Sequence, residues 1–107
     1  MTQGITCGNT YGMYVVAKSI TPAAVLTITA VEQTFTVSGV KTGDAVIVSP
    51  PGTQSGAIVG ACRVTAANTV GITFVNPTVG SVTPTAGTHV FTIFRPSGGV
   101  GASSVGD

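Results

Sequence analysis

The feature that most constrains this chain is an alternation of β-branched or aromatic residues with small polar ones. The alternation is plain in EQTFTVSG (32–39) and TVGITFVN (69–76), and DAVIVS (44–49) and THVFTIF (88–94) have the same β-rich composition. A period of two residues is typical of β-strands, in which successive side chains point to opposite faces. No segment has the 3.6-residue apolar period of an amphipathic helix. The sequence therefore predicts an all-β fold with little or no helix.

Turn residues separate these segments at regular intervals. GVKTGD (39–44) and Pro50-Pro51 end two of them, and Ala67-Asn68 predicts a hairpin because Asn tolerates the left-handed backbone of a tight turn. A longer connection, NPTVGSVTPTAG (76–87), precedes the last strand. This spacing predicts an antiparallel β-sandwich or squat barrel of about six to eight short strands.

Further strands are predicted in PAAVLTITA (22–30) and AIVGACRVTA (57–66). The face of 57–66 that points inward stays open, because Gly60 and Ala61 leave little side chain on either face. The predicted core consists of Leu26, Ile28, Phe35, Val37, Val46, Val48, Val64, Ile72, Phe74, Phe91 and Ile93.

The 107 residues are enough for one domain. We expect the sandwich to span 22–95. Residues 1–21 form a Gly/Thr-rich N-terminal arm, and residues 96–107 form a Gly/Ser-rich C-terminal tail. Both ends are expected to extend from the sandwich and to become ordered only through neighbouring chains.

Charged residues make up only 7% of the chain, where soluble domains usually have about a quarter. There is no basic stripe for a phosphate backbone, so nucleic-acid binding is not expected. No signal peptide or membrane-spanning apolar run is apparent, and we expect synthesis in a cytoplasm, with Cys7 and Cys62 as free thiols. The uncharged, Thr-rich surface suits a protein covered by partners, although a secreted β-domain with a neutral surface is an alternative.

The inventory of reactive side chains argues against an enzyme. His89 is the only histidine, and we interpret it as a partly exposed strand residue rather than as the base of a triad with Asp44. Glu32 and Asp44 have ordinary turn placements, so paired-carboxylate chemistry is not expected. Two separated cysteines form no metal-ligand motif. We therefore predict no catalytic residue, no metal, no cofactor and no small-molecule substrate.

Four residues are candidates for contact with another protein. Arg63 and Arg95 lie within or at the end of strands, and Arg is favoured at interfaces because its planar fork bonds carboxylates and carbonyls. Tyr11 and Tyr14 lie in the arm, and Tyr is a common interface anchor. The alternatives are a solvated charge for each arginine and packing on this chain's own core for each tyrosine.

Three stretches between about Val25 and Arg95 have a recognisable pattern: TFTVSGVKTGDAVIVSPP, ACRVTAANTVGITFVNPT and AGTHVFTIFR. They resemble the head-decoration, or cement, proteins of tailed bacteriophages. The resemblance implies a β-sandwich, commonly a homotrimer, that binds the major capsid protein on the outside of the virion. Such a protein is made in the bacterial host's cytoplasm and stabilises the lattice by clamping adjacent subunits. A tail-fibre or receptor/carbohydrate-binding module of a phage virion is the alternative, and the resemblance assigns no site residue.

Overall fold

The computed structural model describes residues 10–52 and 56–96, with Thr10 and Tyr11 described by their backbone alone. Within these ranges the chain forms six β-strands and no helix, which confirms the predicted all-β fold. No helix in the described ranges is long and apolar enough to span a membrane. The strands are β1 (Thr10–Ile20), β2 (Thr29–Thr36), β3 (Ala45–Ser49), β4 (Ile58–Ala66), β5 (Thr69–Asn76) and β6 (Gly87–Pro96).

The strands form two three-stranded antiparallel sheets, in the orders β1-β6-β3 and β2-β5-β4. We call them the first and the second sheet. The middle strands β6 and β5 are each paired on both sides, and their inward side chains Phe91, Ile93, Ile72 and Phe74 are almost completely buried in one core cluster. The sheets thus pack face to face as a small sandwich, with period-two burial along β6 and along β5 except at Gly71, which is also buried.

Most of the predicted core is confirmed. Val37, Val46, Ile72, Phe74, Phe91 and Ile93 are buried, and Phe35, Val48 and Val64 pack against them. The segment 57–66 turns Val59, Cys62 and Val64 toward the core, with strand irregularities between Val59 and Ala61 and between Val64 and Ala66. Because those irregularities shift the strand's alternation, its inward face could not be read from a simple period of two. The sequence prediction omitted the buried residues Ile20, Val25, Val40, Ala57 and Val70.

The predicted N-terminal arm is wrong for Thr10–Ile20, which forms β1 and pairs with β6 along its length. Its inward side chains include Val16 and the buried Ile20, whereas Met13 and Val15 point outward. Apolar residues on both faces of a strand erase the alternation by which strands are recognised. At the other end β6 closes at Pro96, next to the predicted boundary. Residues 1–9 of the predicted arm and residues 97–107 of the predicted tail lie outside the described residues.

The predicted strand over 22–30 is also wrong before Thr29. Val25 makes an isolated backbone bridge with Val82, and Ile28 has a φ of 46°, a left-handed conformation that interrupts an extended strand. Leu26 and Ile28 were predicted in the core but are exposed, whereas Val25 is fully buried. The connection before β2 is therefore an irregular segment with one inward-pointing valine.

A buried amide, Asn76 at the end of β5, holds this connection in place. Its Nδ2 donates to the carbonyls of Val25, Leu26 and Gly80 at 2.8–3.1 Å, and its Oδ1 accepts hydrogen bonds from Thr78. Backbone groups in an irregular segment need such partners when they are removed from water. Asn76 thus replaces the ladder bonds that a regular strand over 22–28 would have made.

The predicted turns are confirmed. Asn68 has a φ of 62° in the two-residue hairpin between β4 and β5, and its Oδ1 accepts a hydrogen bond from the backbone N–H of Gly39. In the turn between β2 and β3, Gly39 and Gly43 both have a φ of 97°, which an L-residue rarely adopts. The hydrogen bond from Gly39 to Asn68 joins the β2–β3 turn to the β4–β5 hairpin.

Candidate interaction surface

The outer side of the first sheet is built from side chains that alternate with its buried ones. Pairing of β1, β6 and β3 places Met13, Phe94 and Ala45 in one row, with two further rows behind it. We call this surface the apolar face; it consists of Met13, Val15, Ala17, Ala45, Ile47, Ser49, Val90, Thr92 and Phe94. None of these nine side chains is charged, and Met13, Val15 and Ile47 are 60–67% exposed.

The outer side of the second sheet is different, because an ion pair crosses it. Arg63 on β4 donates two hydrogen bonds to the carboxylate of Glu32 on β2, at 2.7 and 2.9 Å. These bonds lower the pKa of Glu32 and raise that of Arg63. The pair spans the middle strand above Gly71, where an added Cβ would lie 2.5 Å from a Glu32 oxygen. A polar outer side on one sheet and an uncharged one on the other give the sandwich two unequal surfaces.

The size of the apolar face indicates what it can bind. Three strands about 4.8 Å apart and five residues long, at about 3.3 Å per residue, cover roughly 240 Å². This approaches the size of the largest apolar patch on a typical monomer, about 300–600 Å², which is often functional. It is about a third of the roughly 800 Å² that each partner contributes to a standard protein–protein interface. A single copy of the face therefore suits weak attachment that becomes strong when several copies act together.

Tyr14 and Arg95, two of the predicted contact residues, lie together at one end of the first sheet. The Arg95 guanidinium lies over the Tyr14 ring, 5.3 Å from its centroid, and donates to the carboxylate of Asp44 at 2.8 and 3.0 Å and to the carbonyl of Gly39 at 2.7 Å. Asp44 also accepts a hydrogen bond from the backbone N–H of Lys41, and its side chain is 3% exposed. The hydrogen bonds from Arg95 are the main cause that lowers the pKa of Asp44. The cluster joins β6 to the β2–β3 turn.

A recess of about 240 Å³ lies beside this cluster. It is lined by the apolar side chains of Val16, Val40 and Ile93 and by Tyr14 and Arg95. An apolar lining with an aromatic ring and a guanidinium is typical of a pocket that receives a side chain of a protein partner. Tyr14 therefore contacts Arg95 and is also 40% exposed, at a place where a partner can reach it.

The other two predicted contact residues are not part of this group. Arg63 is exposed on the second sheet and paired with Glu32. The side chain of Tyr11 lies outside the described residues. Met13, Val15, Ile47 and Phe94 were missed as surface residues. The signal available in the sequence was a run of consecutive apolar residues within a strand, as in MYVV (13–16) and AVIV (45–48), which indicates a strand covered on both sides.

His89 is fully buried, so its predicted partial exposure is wrong. It points inward from β6 beside Phe91; its Nδ1–H donates to the Gly87 carbonyl at 3.0 Å, and its Nε2 has no hydrogen-bond partner. Asp44 is held by Arg95 and makes no bond to His89. Within residues 10–52 and 56–96 no group of three potential metal ligands occurs.

Cys62 on β4 is a free thiol, as predicted. It is half-buried against the core, and burial raises its pKa to about 11. An uncharged thiol in this position packs as a small apolar side chain. Cys7 lies outside the described residues.

The fold and the two surfaces define the chain as a small antiparallel β-sandwich with one apolar outer side. Comparisons with protein-family models, with curated proteins and with solved structures find no significant match to it.

Proposed function

We propose that this chain is a structural protein of a bacteriophage virion, which binds the outside of the capsid lattice and stabilises it by clamping adjacent major capsid subunits. The observation that carries the proposal is the apolar face, an uncharged area across all three strands of the first sheet. The resemblance of the stretches between Val25 and Arg95 to phage cement proteins supplies the partner. In this proposal the chain acts by surface contact, without catalysis or a cofactor.

The energetics of the face fit a lattice partner. Complete burial of one Val, Ile or Met side chain contributes about 1.5–3 kcal/mol, but association costs at least several kcal/mol in translational and rotational freedom. One face of a few such side chains binds weakly. Copies joined to one another and bound at several places share that cost and gain avidity. Because the protein binds only the assembled lattice, mass action shifts the equilibrium toward that state.

The test uses two matched substitutions of isoleucine. Ile47, on the apolar face, is 60% exposed, and Ile58, on the outer side of the second sheet, is 53% exposed. Both lie on edge strands. Particles of the encoding phage assembled without this protein are titrated with purified wild type, Ile47→Lys and Ile58→Lys, and bound copies are counted after sedimentation. The particles are then heated, and DNA release is recorded.

We expect Ile47→Lys to bind at least about ten-fold more weakly, which corresponds to about 1.4 kcal/mol, and to leave the particles heat-sensitive. Ile58→Lys is expected to bind and protect like wild type. Equal binding by both variants contradicts attachment through the apolar face. Particles that survive heat equally well with and without the protein contradict the cementing role, and wild-type protein found only at the tail tip supports the receptor-binding alternative.

A further inference from the structure

Edge strands of a sandwich offer unpaired backbone groups to other chains, and proteins usually block them. The described sandwich has four such edges: β1, β3, β2 and β4. β3 has only five residues and is followed by Pro50-Pro51. β4 is interrupted by two irregularities, at Gly60 and near Thr65. Short length, a following proline and strand irregularities are features that protect edge strands from pairing with other chains.

The edge of β2 is protected in another way. Glu32 places a charge on this strand, and the side-chain amide of Gln33 accepts from the N–H of Ala23 and donates to its carbonyl, at 2.8 and 2.9 Å. These bonds hold the connection that precedes β2 against the strand. A charge and a bound connection both oppose the addition of another strand.

β1 is the least protected of the four edges, because its one irregularity lies at its very start, between Thr10 and Gly12. It is the longest of the described strands, with eleven residues and no proline. Its register with β6 runs without interruption through the nine residues from Gly12 to Ile20. Lys18 is its only charged residue, and among the described residues β6 is its only neighbour in the sheet. A long, regular and mostly apolar edge is a site for strand addition.

We propose that β1 pairs in antiparallel orientation with β1 of a second copy, across a two-fold axis near Val15. Antiparallel pairing of identical strands is self-complementary, as a two-fold interface requires. With Val15 opposite Val15, Met13 of each copy lies opposite Ala17 of the other. Lys18 then lies opposite Gly12, so the only charge on the strand does not meet its own copy.

The pairing joins two first sheets into one six-stranded sheet. Centred on Val15, the seven residues from Gly12 to Lys18 of each copy form about one backbone hydrogen bond each, within the range of roughly 10 ± 5 for a typical interface. Edge-to-edge pairing buries less area than a standard interface, so we expect a dimer of micromolar affinity. The pair is two-fold, in contrast to the trimer that the resemblance implies.

The dimer also extends the apolar face. Pairing through β1 places the two faces side by side, which gives one continuous surface of roughly 480 Å², more than half of the roughly 800 Å² that one partner contributes to a standard interface. The use of this enlarged face in capsid binding rests on the proposed function, whereas the dimer itself does not.

The experiment uses the free protein, so that its result is independent of any capsid. Sedimentation velocity is measured from low to high micromolar concentration for wild type, Val15→Lys and Ile47→Lys. Both substitutions place lysine at a well-exposed position of the same face. Val15→Lys sets two lysines opposite each other at the proposed axis, whereas Ile47 lies on β3, at the far edge of the sheet. We expect wild type and Ile47→Lys to dimerise and Val15→Lys to remain monomeric.

Two further measurements locate the contact. Amide hydrogen exchange within Gly12–Ile20 is expected to slow as concentration rises, with no comparable change in β3 or β4. In a Cys7→Ser, Cys62→Ala background, Val15→Cys is expected to form a disulfide-linked dimer on mild oxidation, and Ile47→Cys is not. A monomer at every concentration, loss of the dimer in Ile47→Lys, or a trimer whose β1 amides still exchange rapidly would overturn the proposal. Failure of capsid binding alone leaves these readouts unchanged and counts only against the proposed function.

Discussion

Replacement of Asp44 by Asn tests the cluster that joins β6 to the β2–β3 turn. The Asp44 carboxylate accepts two hydrogen bonds from Arg95 and one from the backbone of Lys41. A hydrogen bond to a charged group contributes about 1.5–3 kcal/mol, and loss of one partner of a fully buried pair costs about 3–5 kcal/mol. The Arg95 side chain is 22% exposed and can be rehydrated, which reduces the cost. We expect Asp44→Asn to lower the free energy of unfolding by about 2 kcal/mol, or Tm by roughly 10 °C.

The pH dependence follows from the lowered pKa of Asp44. A carboxyl group whose pKa is lower in the folded state contributes stability above its ordinary pKa and loses it as the pH falls toward the folded value. The wild type should therefore lose this contribution below about pH 4. Asp44→Asn has no such contribution to lose, so the difference in stability between the two proteins should shrink as the pH falls.

Urea denaturation at neutral pH and at several acidic values measures both effects, and Glu32→Gln is the control. The Glu32–Arg63 pair is exposed on the second sheet, and exposed ion pairs contribute little to stability. The reasoning is refuted if Asp44→Asn is no more destabilising than Glu32→Gln, or if its deficit is the same at acidic and neutral pH.

Three further results are expected. Asn76→Asp should destabilise the protein by about 2–4 kcal/mol in thermal denaturation, because a carboxylate cannot donate to the carbonyls that the amide now binds. A variant as stable as wild type would show that Asn76 does not hold the connection before β2. In a Cys7→Ser variant, Cys62 should react with a thiol reagent at least about 100-fold more slowly than a free cysteine at neutral pH, since a pKa of about 11 lowers its thiolate fraction. A rate near that of free cysteine would mean that the thiol is not buried. Asn68→Gly should fold with a small loss of stability and Asn68→Val with a larger one, because only the first accepts a φ of 62° without strain; urea denaturation giving the reverse order would contradict the assigned hairpin.

The parts of the fold that sequence reasoning predicted are those where one face of a strand is apolar and the other polar. β2 and β5 have this pattern: Phe35 and Phe74 point inward, while Glu32 and Thr73 point outward. β1 lacks it, because Met13 and Val15 are as apolar as the inward residues of the same strand. The apolar face and the missed strand therefore have one physical cause, namely a sheet that is apolar on both sides.

Other features depended on contacts between distant parts of the chain. The exposure of Ile28 follows from its left-handed backbone, and the course of the preceding connection follows from bonds to Asn76, far away in the sequence. Tyr14 and Arg95 were each predicted as contact residues, but their stacking depends on the pairing of β1 with β6. Residue type alone does not give such pairings, since they are set by topology.

The placement of the first and last described strands side by side has a consequence for how the chain matures during synthesis. The three strands of the second sheet lie in the stretch from β2 to β5, which also contains β3, and they can assemble as soon as that stretch has left the ribosome. The first sheet cannot, because the innermost paired residues of β1 and β6, Ile20 and Gly87, are separated by the entire second sheet and β3. β1 is translated before the other described strands and finds its partner last. During that interval Met13, Val15 and Val16 of β1 are exposed to other nascent chains. Incorrect pairing between chains on neighbouring ribosomes would therefore begin at this strand.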